Sequence, residues 1–306
     1  MAKYVVKRIV AAIITLWFVM TLTFILMKAM PGSPFASEQF SEPAIREAMN
    51  AKYGLDDPYI VQYFRTLKGY IKGDFGISFQ KVGLTTNEVI SAGLPYSIKV
   101  GLAGSAVVII GGVSFGIIAA LRQNKFSDRL LMLLSTLGST IPAFVFATGF
   151  LYVFSKTLGW VPSFGLPNWR GYIGPSLIIG VFSFAFVTRL MRTSMLDVLG
   201  QDYIRTARAK GISEFKVIGK HAMRNAMLPV VTYIAPMFAS ILTGSFVIEK
   251  VFGIPGIGSL FTESITNRDY TLIMGMTVFF AVLLVISILA VDIVYVFIDP
   301  RIKYED

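Results

Sequence analysis

The chain has 306 residues, of which 55% are hydrophobic and only 15% charged, whereas soluble domains carry roughly 25% charged residues; this composition excludes an ordinary water-soluble domain and requires an integral membrane protein. It has no cysteine, which excludes disulfides and thiolate metal sites. In such a chain the net charge of +10 reports which side of the bilayer the basic residues face, not nucleic acid.

In chain order, six stretches predict spanning helices: 9–30, 98–121, 130–155, 172–196, 229–249 and 271–298. Each has the roughly twenty mostly apolar residues needed to cross a bilayer. The first follows Lys3, Lys7 and Arg8, and no small-x-small cleavage site comes after it. It therefore reads as a retained helix and not a signal peptide. Six spans place both termini on one side. Arg122, Lys125 and Arg129, the basic run from Arg189 to Arg224, and Arg301 with Lys303 fall on that same side, so the positive-inside rule makes it cytoplasmic. The expected fold class is all-α integral membrane, divided as 1–30, an extracytoplasmic segment 31–97, and a core 98–306 carrying a cytoplasmic loop 197–228.

The segment 31–97 predicts a small mixed cap with helices near 42–53, 58–72 and 86–93. Asp57-Pro58 reads as an N-cap and first helical residue, and Gly73 as a stop. Thr85 and Glu88 form a capping box, with Leu94-Pro95 expected to follow a short helix. The cap either covers the membrane helices or receives an external partner.

Within the spans, Gly101, Gly104, Gly111, Gly112 and Gly116 give 98–121 a face that permits close helix approach. Pro142 and Pro236 predict kinks. Asp292 is the clear ionisable group at membrane depth, and an ion pair with Arg189 or Arg192, or a solvated end group, is expected. The scarcity of embedded acids weakens the alternative reading, an ion-coupled secondary transporter or channel subunit. Gly112-Val113-Ser114-Phe115-Gly116 matches G-x-S-x-G, but inside an apolar span, while the sole histidine, His221, lies in a loop; packing is the expected role. Neither H-E-x-x-H nor the Walker A sequence G-x-x-x-x-G-K-[ST] occurs. No catalytic residue, metal site or cofactor of this chain is expected, and no substrate-binding residue is identifiable.

In the loop 197–228, Asp202 is expected to cap a helix beginning at Tyr203 and Gly211 to end it. Ser213 is expected to cap a second helix with Glu214 in its first turn. Phe215, Ile218 and Ala222 would make one apolar stripe, and Leu228-Pro229 would restart the chain as the fifth span. Such a pair either lies on anionic lipid or docks into a groove of a soluble protein. The tight glycine corner favours docking.

The run Arg205-Thr206-Ala207-Arg208-Ala209-Lys210-Gly211, followed by His221, Arg224-Asn225-Ala226 and Leu228-Pro229, resembles the cytoplasmic loop of ABC importer permeases of the dipeptide/oligopeptide branch, most closely the B-type membrane subunit. Pro31-Gly32-Ser33-Pro34-Phe35, Gly73-Asp74-Phe75-Gly76, Phe252-Gly253-Ile254-Pro255-Gly256-Ile257-Gly258, Asn267-Arg268-Asp269-Tyr270 and Asp299-Pro300-Arg301 extend the resemblance over nearly the whole chain. Arg205 stands where the general importer pattern has a glutamate, so the glutamate–ATPase contact of that pattern does not carry over. The resemblance implies a second homologous permease subunit, two ATP-binding subunits holding ATP and magnesium, an extracytoplasmic peptide-binding protein, surrounding membrane lipid, and no nucleic acid. It implies ATPase coupling through Tyr203, Arg205, Thr206, Ala207, Arg208, Ala209, Lys210, Gly211, Ser213, Phe215 and His221, with Ala207 as a small surface for close approach.

Overall fold

The computed structural model describes residues 2–29, 47, 50–51, 54–81, 83–242 and 246–298, with the side chains of all of these except 2–6, 235, 239, 242 and 291–298. The expected helix at 42–53 falls largely outside this range. Among the described residues the structure is helical, with no strand and one isolated bridge, Ile77 to Thr85.

Helix α1 covers Ala2–Ala29 and α2 Tyr59–Ile71. Helix α3 is Thr86–Leu121, α4 Phe126–Thr140, α5 Ala143–Thr157, α6 Trp169–Ile179 and α7 Val181–Leu199. Helix α8 is Asp202–Ala209. Helix α9 runs from Glu214–Lys216 through a π turn, Val217–Ala222, into Met223–Leu242. Helices α10, Phe246–Phe252, α11, Ile257–Thr266, and α12, Tyr270–Ile298, complete the order.

Among the described residues, three helical stretches are long and apolar enough to cross a membrane: Lys7–Ala29, Thr86–Leu121 and Tyr270–Ala290. Counting the bent pairs α4/α5 and α6/α7 as one span each gives five. The expected third span breaks where Ile141, the residue before Pro142, is forced into extended backbone (φ −78°, ψ 129°), and α4 and α5 meet at 105°. The expected fourth span bends by 54° at Gly180. The expected fifth span is not a separate start at Leu228-Pro229: Pro229 and Pro236 both lie inside α9, which continues from the loop. Pro95 likewise lies inside α3, so the short helix expected at 86–93 is the beginning of a long one.

The chain divides into two compact units. The first comprises Met1–Tyr96 with Pro255–Ile286. In it α2 ends in a Schellman motif: Gly73 takes φ +74°, its N–H donates to Tyr70 O, and Asp74 N–H donates to Gly69 O. Thr85 and Glu88 make both bonds of the capping box, Thr85 N–H to Glu88 Oε2 at 2.7 Å and Glu88 N–H to Thr85 Oγ1 at 3.2 Å. Val89, Ile90, Ile257, Leu272 and Met276 form this unit's buried core. Beside it the buried Asp269 carboxylate accepts from Ser78 Oγ and from the N–H of Phe79 and Leu272, fixing the turn before α3 to the start of α12.

The second unit comprises Ser97–Ile254 with Ser287–Asp306. Lipid tails are as apolar as leucine, so helices in a membrane associate by close packing rather than by expelling water. The glycines of α3 supply that packing. A Cβ on Gly116 would sit 2.5 Å from Met191 Cβ and 2.8 Å from Thr188 O; one on Gly104 would sit 2.9 Å from Ser176 O. Met191, Met195 and Val187 of α7 are fully buried there. Ser114 lies in the same unbroken helix, so the strand–turn–helix of a nucleophile elbow is absent at that position.

Candidate functional site

Helices α8 and the start of α9 form the helix–corner–helix expected of 197–228. Gly211 adopts φ +74°, donates to Arg208 O, and the Ile212 N–H donates to Ala207 O at 3.3 Å. This is again a Schellman stop, in a left-handed conformation natural to glycine. A Cβ at Gly211 would meet nothing within 4 Å, so the requirement for glycine there is conformational and not steric.

The two caps differ from expectation. Asp202 is the first helical residue, not the cap; Gln201 holds the cap position, and the Asp202 carboxylate faces Arg205 at 3.4 Å. An acid in the first turn still favours the helix dipole from there. Ser213 does occupy the cap of the second helix, but its side chain makes no cap bond.

The expected stripe is also re-registered. Phe215 is 87% exposed, and the buried positions are Val217, Ala222, Ala226 and Val230. The π turn explains the shift: its wider turn carries Val217 and Ala222, five apart, onto one face, after which the spacing returns to four. On α8, Ile204 and Ala207 point into the same core as Met195 and Val217. Ala207 is therefore buried in that helical core and does not form part of the exposed surface.

The opposite face is polar and exposed. It carries Arg205, Thr206, Arg208, Ala209, Lys210, Gly211, Ser213 and Phe215, with Tyr203 also exposed and His221 half-buried. Across the corner the Arg208 guanidinium grips Glu214, Nη2 to Oε1 at 2.6 Å and Nε to Oε2 at 3.2 Å. That hydrogen-bonded pair holds the Glu214 carboxyl below its ordinary range and raises Arg208 above its own. Asn225 Nδ2 donates to Tyr203 Oη at 2.8 Å, tying α8 to α9. The surface is thus a basic corner braced by these bonds, with the Phe215 ring bare and Tyr203 partly so.

Arg189 and Arg192 are held on α7, the helix that leads into this corner. Arg192 pairs in fork geometry with Asp128, Nε to Oδ1 at 2.6 Å and Nη2 to Oδ2 at 2.7 Å, and Asp128 also accepts from Asn124 N–H. Arg189 donates to Ser135 O and Ser139 Oγ. Both arginines therefore clamp α4 to α7. The Asp292 side chain, the expected partner, lies outside the described residues, and the acid seen on Arg192 is another one. Sequence reasoning missed Asp128; its one signal was an acid just ahead of the apolar stretch 130–155.

A family model described as binding-protein-dependent transport system inner membrane component matches residues 112–304, and one for the N-terminal part of such membrane components matches residues 1–88. The dipeptide transport system permease protein DppB of Bacillus subtilis is 46% identical over 303 residues, covering 99% of this chain and 98% of that protein. The oligopeptide transport system permease protein OppB of Haemophilus influenzae is 43% identical, covering 99% and 100%. Among solved structures, an inward-facing MetNI methionine ABC transporter chain aligns with a TM-score of 0.55 at 13% identity, over 69% of this chain and 96% of that one, a likeness of fold.

Proposed function

Since the chain belongs to the family of binding-protein-dependent transport system inner membrane components, we propose that it is the permease subunit of an ATP-driven peptide importer, lining half of the translocation path. The observation that carries this reading is the end-to-end match to dipeptide and oligopeptide permeases. In this reading six spans place both termini in the cytoplasm. A second homologous permease completes the path, two ATP-binding subunits with ATP and magnesium dock beneath, and a peptide-binding protein delivers cargo to the outer segments 31–97 and 250–270.

The corner at Gly211 is the coupling element. Its buried side, Ile204, Ala207 and Val217, transmits force to the membrane core. Its exposed side, Arg205, Lys210 and Phe215, meets the ATPase. Closure of the ATPases pushes on a rigid corner, and α8 and α9 move as one body because Arg208–Glu214 and Tyr203–Asn225 bridge them.

The test is a tagged purification of the chain expressed with its gene neighbours, comparing the natural loop with Gly211→Pro. Proline fixes φ near −65° and removes the N–H that bonds Arg208 O. A second permease and ATPase subunits are expected with the natural chain, and loss of the ATPases alone is expected with the variant. Equal ATPase recovery by both would refute the coupling role; absence of any ATPase from the natural chain would refute the importer reading.

A further inference from the structure

Helix α2 carries an apolar face that points away from its own unit. Ile60, Phe64, Leu67 and Ile71 stand at i, i+4, i+7 and i+11, within about 60° of one another on a helical wheel. Ile60, Phe64 and Ile71 are 61%, 59% and 76% exposed. The inward side of α2 is formed by Gln62, buried, with Tyr63, Thr66 and Tyr70 half-buried.

The contacts to α1 fix where this face lies. Lys28, in the last turn of α1, donates to Gln62 Oε1 and places its ammonium 5.6 Å from the Tyr59 ring. Tyr63 Oη bonds Thr21 Oγ1 at 2.8 Å, and its ring packs edge-on to Phe24 at 5.5 Å. Thr21 is two turns inside the Ala29 end of the span Lys7–Ala29, so Tyr63 reaches roughly 10 Å below that end. Around α2, Gln62 lies across from the apolar stripe and Tyr63 flanks it. The side toward Gln62 meets the end of the span; the side toward Tyr63 meets its interior, and the stripe continues in that direction. On α1 itself, Leu22, Ile25 and Leu26 are likewise exposed.

We infer that α2 is an interfacial helix, its Ile60–Phe64–Leu67–Ile71 face immersed in phospholipid at the Ala29 end of the first span. The charge pattern suits that occupant. Lys68 and Lys72 are exposed beside the stripe, at the edge where phosphates sit, and Tyr59, 66% exposed, provides an interfacial aromatic ring. The helix then wedges the extramembrane part of the first unit onto the bilayer, independent of what the transporter carries.

The absence of cysteine makes the test direct. Single cysteines replacing Ile60, Phe64, Ile71 and, for comparison, Lys68 are spin-labelled in the intact transporter, its other subunits made cysteine-free, and reconstituted in phospholipid bilayers. Collision rates with oxygen and with a water-soluble nickel chelate are measured. The oxygen-to-nickel ratio at Ile60→Cys, Phe64→Cys and Ile71→Cys is expected to exceed that at Lys68→Cys about threefold or more. Equal ratios would place the face in water, and labels shielded from both reagents would place it against a protein subunit; either overturns the inference. If a cysteine variant fails to assemble, Phe64→Trp reads the same contact. Its added fluorescence is quenched by phospholipid brominated near the headgroup if the inference holds, and is unchanged if it fails.

Discussion

Replacing Asp128 by alanine tests whether the clamp between α4 and α7 holds the second unit together. The Asp128 side chain is 3% exposed and Arg192 23%. Asp128 accepts three bonds, two from Arg192 and one from Asn124 N–H. Removing one partner of a buried ion pair costs about 3–5 kcal/mol, chiefly because the other charge is left without compensation. Arg192 keeps part of its surface outside the protein and its long stem lets the head reach toward water, so about 2–3 kcal/mol is expected. A loss of 2 kcal/mol shifts the folded-to-unfolded ratio roughly thirtyfold. The assay is denaturation of the purified chain in mixed micelles, comparing Asp128→Ala, Arg192→Met and the pair Asp128→Leu with Arg192→Met. The double replacement removes both charges and is expected to recover most of the loss, since a buried pair is worth little more than apolar side chains of the same volume. A single-variant loss under about 0.5 kcal/mol, or a double variant as unstable as the sum of the singles, would refute the reasoning.

Gly116→Ala places a methyl 2.5 Å from Met191 Cβ and is expected to destabilise the chain by about 1–3 kcal/mol, whereas Gly149→Ala, where nothing lies within 4 Å, is neutral or stabilising; the same denaturation measurement separates them. On the proposed docking, Phe215→Ala is expected to weaken recovery of ATPase subunits about tenfold or more while leaving thermal stability unchanged, because the ring is 87% exposed and contributes little to the chain's own packing. The Arg208–Glu214 bridge has a pH signature. The Glu214 carboxyl titrates below its ordinary value in the folded chain, so the bridge stabilises the corner fully above the unfolded carboxylate's pKa and is lost as pH falls through the folded value. Hydrogen exchange at Gly211 and Ile212 is therefore expected to quicken, beyond the intrinsic rate, on acidification of the natural chain and to show no such step in Glu214→Gln.

Features set by one residue's conformation were legible in the sequence. Gly73 and Gly211 end their helices in the left-handed region, and Thr85 with Glu88 closes a capping box; each is decided within four residues. Prolines were legible only in part: the kink expected at Pro142 is present as a 105° bend. Pro142 separates two helices, while Pro95, Pro229 and Pro236 lie inside them. The outcome depends on how neighbouring groups satisfy the freed carbonyl, which local sequence does not encode. The apolar stripe of the loop was misplaced because a 3.6-residue period cannot register a π turn. The Arg192–Asp128 clamp joins positions 64 apart and needed the tertiary structure. Family membership came through because the basic run at 205–211 and the glycine-rich motifs are specific as strings.

The π turn at Val217–Ala222 sets the heading of the loop end of α9 apart from the register of the rest of that helix. One residue is absorbed in the wide turn, so Phe215 keeps its heading while Ala226 and Val230 keep theirs. The same residues wound as an unbroken α-helix would have their outer end rotated by about 100°, swinging the Phe215 ring from the exposed side toward the buried face of Ala222. The exposed surface of the corner and the surface that meets other helices can thus diverge in evolution separately, with a single inserted residue as the joint between them.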